Sequence, residues 1–189
     1  MIDYYDIVAQ VAALKRDFPC MKPEEIIEER GIALLEIPMG SGPNALKGFI
    51  QKNSRLRTIV VNSDLPYAIK HKILFHELGH NERKHLELIR TGTLADTDIS
   101  YRKDHTLAAR YENEANFFAA ECTLDTAETL EVISEYDLVT AARLLRVPLE
   151  FLDYKLRLMH HTGQLDRYVD VFSVRSDCLL KIGNEGYEN

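Results

Sequence analysis

The sequence predicts an α+β protein in which a small N-terminal sheet is followed by a helical core and C-terminal helices. Two patterns indicate this class: short β-like runs cluster between residues 32 and 61, and apolar residues recur at helical spacing after residue 66. The 189 residues suffice for one good core plus a small appended helical module. We therefore expect three parts, a main domain, a helical module and a C-terminal tail: 1–124, 125–161 and 162–189.

Two helices and then three strands are predicted at the start of the chain. The first helix, over 3–18, ends before Pro19, and Pro23 opens a second helix that ends at Gly31. Three β-like runs follow, with the turn-rich segment "PMGSGPNALKG" after the first: 32–37, 49–51 and 58–61. Together these runs predict the small sheet.

The main helices are predicted after the segment "NSDLP", which ends the last strand and offers Ser63 and Asp64 as caps. A long helix is expected over about 67–84 and another over about 104–123, joined by a polar loop that contains "TGTLADTD". Shorter helices extend to about residue 160. The last stretch, "DVFSVRSDCLLKIGNEGYEN", predicts a strand-like segment and a frayed tail.

Charge and cysteine content exclude several classes of protein. A formal net charge of −7 argues against direct DNA binding, which normally requires a basic face. No segment approaches the ~18 apolar residues of a membrane helix, and the N-terminus lacks the basic start and apolar run of a signal peptide. The three cysteines, Cys20, Cys122 and Cys178, are far apart and odd in number, which favours unpaired thiols. We expect a cytoplasmic protein with no membrane contact.

The stretch "ILFHELGHNE", residues 73–82, predicts a metal site on the long helix. His76 and His80 are four residues apart, so their imidazoles lie one turn apart on the same helix face. Zinc in a hydrolytic site takes three protein ligands and leaves one position for water. Glu77 points about 100° around the helix, where it can act as a base without being a ligand. The alternative is a purely structural helix, because H-E-x-x-H also arises by chance.

A third ligand is expected from a second helix, and "ARYENEANFFAAE", residues 109–121, is the best candidate. Glu112 and Asn116 are four residues apart, so the carboxylate can bind zinc while the amide steadies a ligand histidine from behind. Glu114 is the alternative ligand. Its side chain would point away from the face of Glu112 and Asn116, so we favour Glu112 and interpret Glu114 otherwise as part of a solvated helix face.

Other histidines and tyrosines near the motif have weaker assignments. A donor for the oxyanion of the transition state could come from any of three residues: Tyr101, His105 and Tyr111. His71 and His85 flank the metal helix at spacings that do not suit the same ion, so both are predicted to lie on the surface. His160 and His161 are predicted at a helix end.

These motifs together resemble the ImmA/IrrE family of bacterial metallopeptidases, which phages and integrative elements often encode. The segments that resemble the family cover most of the chain: "EERGI", "TIVVNSDLP", "ILFHELGH" and "YENEANFFAAECTL". Two departures concern the shape of the pocket. The segment "ECTLDTAE" stands where the family often has a leucine-rich segment ending in Met-Pro, and Phe75 replaces a small residue before the first histidine.

The resemblance implies a zincin-like helical core, similar to the thermolysin-like glutamate zincins, built from the HExxH helix and the third-ligand helix. It implies that Zn²⁺ is held by three ligands: His76, His80 and Glu112. Glu77 would be the catalytic base. The implied substrate is a helix-turn-helix repressor, cut so that a mobile element or stress regulon is switched on. We expect the substrate to add as an extended strand beside 58–62, with Asn62 contributing to its binding.

Segment 136–158 has the pattern of a degenerate helix-turn-helix. It could contact DNA or the repressor, or it could serve as a helical cap that completes the core. Because its basic residues are offset by neighbouring acidic ones, we favour the cap.

Two alternative functions belong to other classes of protein. The first is a non-proteolytic antirepressor that binds a repressor stoichiometrically and uses zinc only for its structure. A binding protein has no need for Glu77, so the complete motif favours the enzyme. The second alternative, a zinc-stabilised DNA-binding regulator, is disfavoured by the acidic balance. In the enzyme, the "TGTLADTD" loop is a candidate gate, because it lies between the metal helix and the third-ligand helix.

Overall fold

The computed structural model describes residues 1–42, 45–88, 93–96 and 107–168. The chain separates into two compact units, Met1–Thr123 and Leu124–Asn189. None of the helices in the described ranges combines the length and the apolar character needed to cross a membrane. The strand-like segment predicted near the C-terminus begins at residue 170 and lies outside the described residues.

Two helices open the first unit, close to the predicted positions. α1 spans Tyr4–Asp17, and the carboxylate of Asp3 caps it by accepting a hydrogen bond from the backbone N–H of Asp6 at 3.0 Å. α2 spans Pro23–Glu29, with proline at its first position, where the missing N–H has no helical partner to lose.

A four-stranded sheet follows, in the order β1, β3, β2, β4. The strands have these bounds: β1 Ala33–Ile37, β2 Gly48–Asn53, β3 Leu56–Asn62 and β4 Thr93–Asp96. β1 runs parallel to β3, whereas β2 is antiparallel to both β3 and β4. A small sheet combined with helices confirms the predicted α+β class.

The predicted substrate edge is wrong, because β3 is an interior strand. It pairs with β1 on one side and with β2 on the other, so 58–62 offers no free backbone edge to a substrate. All five of these residues are buried. A continuous apolar run such as "TIVV" is typical of a strand that is covered on both faces, and this signal was present in the sequence.

The predicted polar loop after the long helix also contains a strand. Within "TGTLADTD", residues 93–96 form β4 through antiparallel pairing with β2, in the register Phe49↔Ala95. Four residues are too few for a reliable alternating pattern, and their conformation depends on hydrogen bonds with a strand distant in sequence. The rest of the candidate gate lies outside the described residues.

α3, Tyr67–Glu82, is the central helix of the first unit. It packs on β2 and β3 and on α5, which spans Leu107–Thr123, and its residues 72–81 are all buried. Two glycines allow this close approach. A Cβ on Gly79 would lie 3.0 Å from the Cα of Ala115, and one on Gly48 would lie 2.7 Å from Cγ2 of Ile73. The backbone of α3 is therefore held closely between the sheet and α5.

The second unit contains three described helices. α6 spans Thr126–Glu135, α7 Leu138–Leu144 and α8 Leu149–His161. The carboxylates of Asp125 and Asp137 cap α6 and α7 by accepting backbone N–H groups. Segment 136–158 thus forms two helices joined by a turn, as its pattern predicts. α8 is buried along most of its length.

Candidate metal centre

The three favoured ligand side chains converge where α3 faces α5. The Nε2 atoms of His76 and His80 are 3.0 Å apart, and Oε2 of Glu112 lies 3.3 Å from the first and 3.6 Å from the second. A tetrahedral zinc ion with bonds of about 2.0–2.1 Å places its ligand atoms roughly 3.3 Å apart. The observed separations bracket this value, so the three side chains fit one zinc ion.

Helix geometry and close packing bring these atoms together. His76 and His80 lie one turn apart on α3, with ring centroids 4.7 Å apart and ring planes at 79°. Glu112 lies on α5, which approaches α3 closely because Gly79 has no side chain and faces Ala115. A bulkier residue at either of these two positions would separate the carboxylate from the imidazoles.

The ionisation of the cluster suits a metal ion. Burial lowers the pKa of His80 to about 4, so its ring is neutral at pH 7 and can donate a lone pair. Burial opposes ionisation of Glu112, but hydrogen bonds with His76 and His80 outweigh it and hold the pKa of this carboxyl well below its usual range. Neutral imidazoles and an ionised carboxylate are the forms in which these residues bind zinc.

The cluster has the donor set of an open site. Within the described part of the chain, the group of mutually close metal-binding side chains consists of two histidines and one glutamate, with no fourth member. The Glu112 side chain is 29% exposed, whereas the histidine side chains are at most 2% exposed. Structural zinc sites are usually closed by four protein ligands, while hydrolytic sites have three and leave one position open.

Glu77, the predicted base, is fully buried beside the sheet. A Cβ built on Gly48 would lie 3.7 Å from Oε1 of Glu77. The glycine therefore leaves room for the carboxylate against β2, on the same turn of α3 as His76.

The two predicted polar helpers occupy different surroundings. Oδ1 of Asn116 lies 2.8 Å from Nδ1 of His76, so the amide contacts this histidine on the side opposite to the cluster. Asn62 is fully buried, and its amide bonds to backbone groups around the turn after β1: Met39, Gly40, Leu46 and Asp64. The amide of Asn62 therefore holds this turn, and its contact with substrate stays a prediction.

Glu114, the alternative ligand, points away from the cluster. Its Oε2 lies 3.1 Å from Nε2 of His85 and 3.4 Å from Nε of Arg83, and its Oε1 lies 3.2 Å from Nε of Arg110. Glu112 and Glu114 therefore point in different directions from α5, as their spacing of two residues predicts. The interpretation of Glu114 as a solvated side chain is wrong, because the residue is 5% exposed.

His85 is the residue that the sequence analysis missed. It was expected on the surface but is 1% exposed, and its Nδ1 lies 2.9 Å from Nδ1 of His80. After α3 ends, Lys84 adopts a φ of 57° and reverses the chain, so that α4, His85–Leu88, begins beneath the cluster. A positive φ after a helix is usually signalled by glycine or asparagine, and no such signal stands at this position. His71 is half-buried, so its prediction as a surface residue is also only partly right.

The three candidate oxyanion donors stay predictions. The ring of Tyr111 stacks on His85, with centroids 4.5 Å apart and planes at 22°. Tyr101 and His105 lie outside the described residues. His160 and His161 are exposed at the end of α8, as predicted.

Comparison with known proteins identifies the family. A family model, Peptidase M78, described as the IrrE N-terminal-like domain, matches residues 27–157, which is more than half of the chain and includes both α3 and α5. A comparison with curated proteins found no match. The resemblance drawn from the motifs is confirmed: this chain belongs to the Peptidase M78 family, that of the IrrE N-terminal-like domain.

Proposed function

We propose that this protein is a zinc-dependent endopeptidase that cleaves a helix-turn-helix repressor and thereby derepresses a mobile element or a stress regulon. One observation gives this proposal its strongest support. The side chains of His76, His80 and Glu112 form a group without a fourth protein ligand among the described residues, beside the buried Glu77. Membership in a peptidase family implies a protein substrate. The choice of a repressor as substrate follows from the resemblance of the motifs.

Each residue of the site has a distinct role in this proposal. His76, His80 and Glu112 would hold the ion. When bound, zinc would supply Lewis acidity and lower the pKa of water to near neutral. Glu77 accepts the proton of the attacking water and later returns it to the leaving amine. Asn116 accepts a hydrogen bond from Nδ1–H of His76, which leaves Nε2 of that ring unprotonated and directed at the cluster.

The substrate edge in this proposal is β4. Among the described strands, β1 and β4 are the two edges of the sheet. Asp96 of β4 is in register with Gly48, and Gly48 lies against Glu77, so a peptide extended beside β4 would pass near the base. Hydrogen exchange with and without a bound substrate tests this choice. Protection of the amides of 93–96 is expected, and protection of 33–37 instead would place the substrate at β1.

The stoichiometric antirepressor remains the second candidate, and the open site argues against it. A zinc ion that served only the fold would gain from a fourth protein ligand and from full burial, yet the Glu112 side chain is 29% exposed. The region 125–161 is proposed as a helical module with a packing role. Lys155 of α8 is fully buried, so this lysine is not available to contact DNA.

The test compares the wild-type chain with Glu77→Gln in a bacterial host that contains the matching repressor. New protein N-termini are then surveyed by mass spectrometry. We expect a new terminus within the helix-turn-helix protein with the wild-type chain and none with Glu77→Gln, which retains zinc because Glu77 is not a ligand. Glu82→Gln is the matched control: it lies on the same helix and pairs with Arg30 outside the cluster, so cleavage should persist.

Two results would contradict the proposal. Cleavage by Glu77→Gln would show that Glu77 is not the catalytic base. Inactivation of the repressor by both forms without any new terminus would identify a stoichiometric binder.

A further inference from the structure

A chain of buried hydrogen bonds lies behind His80, on the side opposite to the metal cluster. Nδ1 of His80 is 2.9 Å from Nδ1 of His85, and Nε2 of His85 is 3.1 Å from Oε2 of Glu114. His80 and His85 are each 1% exposed and Glu114 is 5% exposed. The two histidines and the carboxylate therefore form a connected series that is shielded from water.

The direction of hydrogen bonding along this series follows from the role of its first member. His80 faces His76 and Glu112 through Nε2, so a ring that binds metal there has its proton on Nδ1. That Nδ1–H donates to Nδ1 of His85, which must then be the unprotonated nitrogen of the second ring. The proton of His85 lies on Nε2 and is donated to Glu114. Each nitrogen thus has one defined role.

The far end of the series is fixed by charge and packing. Glu114 forms ion pairs with Arg83 at 3.4 Å and with Arg110 at 3.2 Å, which favour the ionised carboxylate as acceptor. Arg83 also pairs with Asp6 of α1. The ring of His85 is held from one face by Tyr111, at a centroid separation of 4.5 Å. Neither Glu114 nor His85 can turn without losing several contacts.

We propose that His85 and Glu114 are positioning residues, which orient the His80 ring and keep its Nε2 unprotonated and directed at the metal. This inference rests on the proposed metal centre. It makes the two ligand histidines unequal: His76 is oriented in one step by Asn116, and His80 in two steps through His85. The link in the middle is a residue outside both the H-E-x-x-H motif and the third-ligand helix.

The experiment measures zinc affinity by competition with a chromophoric chelator at pH 7, which requires no substrate. His85→Phe retains a ring to stack on Tyr111 but removes both hydrogen bonds, so zinc should bind about 10- to 100-fold more weakly. His85→Gln is the conservative variant. Its amide oxygen can accept from His80 and its N–H can donate to Glu114, so it should restore most of the lost affinity.

Glu114→Gln gives a second route to the same answer, should His85→Phe fail to fold. This change keeps the volume of the side chain but removes the charge at the end of the series, and a loss of about tenfold is expected. Circular dichroism of each metal-free variant establishes that folded chains are compared. The d–d spectrum of the Co²⁺-loaded chain should also change in His85→Phe and return toward that of the wild type in His85→Gln.

The outcomes separate this inference from the proposed function. Wild-type zinc affinity in folded His85→Phe, or equal weakening in the Phe and Gln variants, would overturn the positioning role while leaving the metal centre intact. Failure of the wild-type chain to bind zinc would overturn the metal centre, and the inference with it.

Discussion

Two helices of this protein, α3 and α8, are buried along most of their length, and both enclose charged or ionisable side chains. On α8 the buried charges are Asp153 and Lys155, both fully buried. Lys155 donates to the hydroxyl of Thr126 at 2.9 Å, and the hydroxyl of Tyr168 donates to the carboxylate of Asp153. Both contacts are made within the second unit, between residues that belong to no group of close metal-binding side chains in the described ranges.

On α3 two of the buried groups, His76 and His80, point at one another instead. The Nε2 atoms of His76 and His80 meet at 3.0 Å and share the neighbouring oxygen of Glu112, whose side chain is 29% exposed. Burial alone therefore does not distinguish a site from a core. Among the described residues, the group of close metal-binding side chains lies on α3 and α5 and includes no residue of α8. The following predictions test this comparison.

The largest loss of zinc affinity and of cleavage is expected from His80→Ala. Removal of one of three ligands should weaken zinc binding by more than the 10- to 100-fold that is typical when a residue behind a ligand is lost, and cleavage should fall below detection. Lys155→Met is the counterpart on α8. It removes a buried charge and should leave the zinc affinity of the folded chain unchanged, as chelator competition would establish. If His80→Ala and Lys155→Met weakened zinc binding equally, α3 would not differ from α8 in holding the metal centre.

The second effect concerns the contact between α3 and α5. Gly to Ala in a helix normally stabilises by roughly 0.5–1 kcal/mol. At Gly79 the new Cβ would lie 3.0 Å from the backbone Cα of Ala115, so we expect a net loss of about 1–3 kcal/mol instead. Gly42→Ala is the control, because a Cβ there meets nothing within 4 Å. Denaturant unfolding measures both, and a stabilised Gly79→Ala would refute the close approach.

A smaller change in the stability of the metal-free protein is expected from a change in pH. Burial lowers the pKa of His80 from 6.5 to about 4, so between these values the unfolded chain binds more protons than the folded chain. The stability of the metal-free protein should therefore fall as the pH is lowered from 7 to 5.5, by about 1 kcal/mol from this residue. Replacement by His80→Gln should reduce this slope. Unfolding in the presence of a chelator gives the comparison.

The part of the site that lies on regular helices could be predicted from the sequence. Spacing of four residues sets His76 above His80, and the same spacing places Glu112 and Asn116 on one face of α5. The opposite direction of Glu114 follows from the same rule. Its partners do not, because they come from another segment of the chain.

The rest of the site depends on contacts that are not local. His85 reaches His80 because Lys84 takes a positive φ without the glycine that would signal it. β4 exists because β2 pairs with it, and β3 became an interior strand because β1 returns parallel to it. Strand order is a property of the assembled sheet, so the local sequence pattern does not determine it.

The most direct test of the metal centre is an anomalous difference map at the zinc edge from crystals of the wild-type protein grown with zinc. We expect one strong peak within about 2.0–2.2 Å of Nε2 of His76, Nε2 of His80 and a carboxylate oxygen of Glu112, with no fourth protein ligand. A peak bound by His85 and Glu114, a fourth protein ligand, or no peak at this position would contradict it.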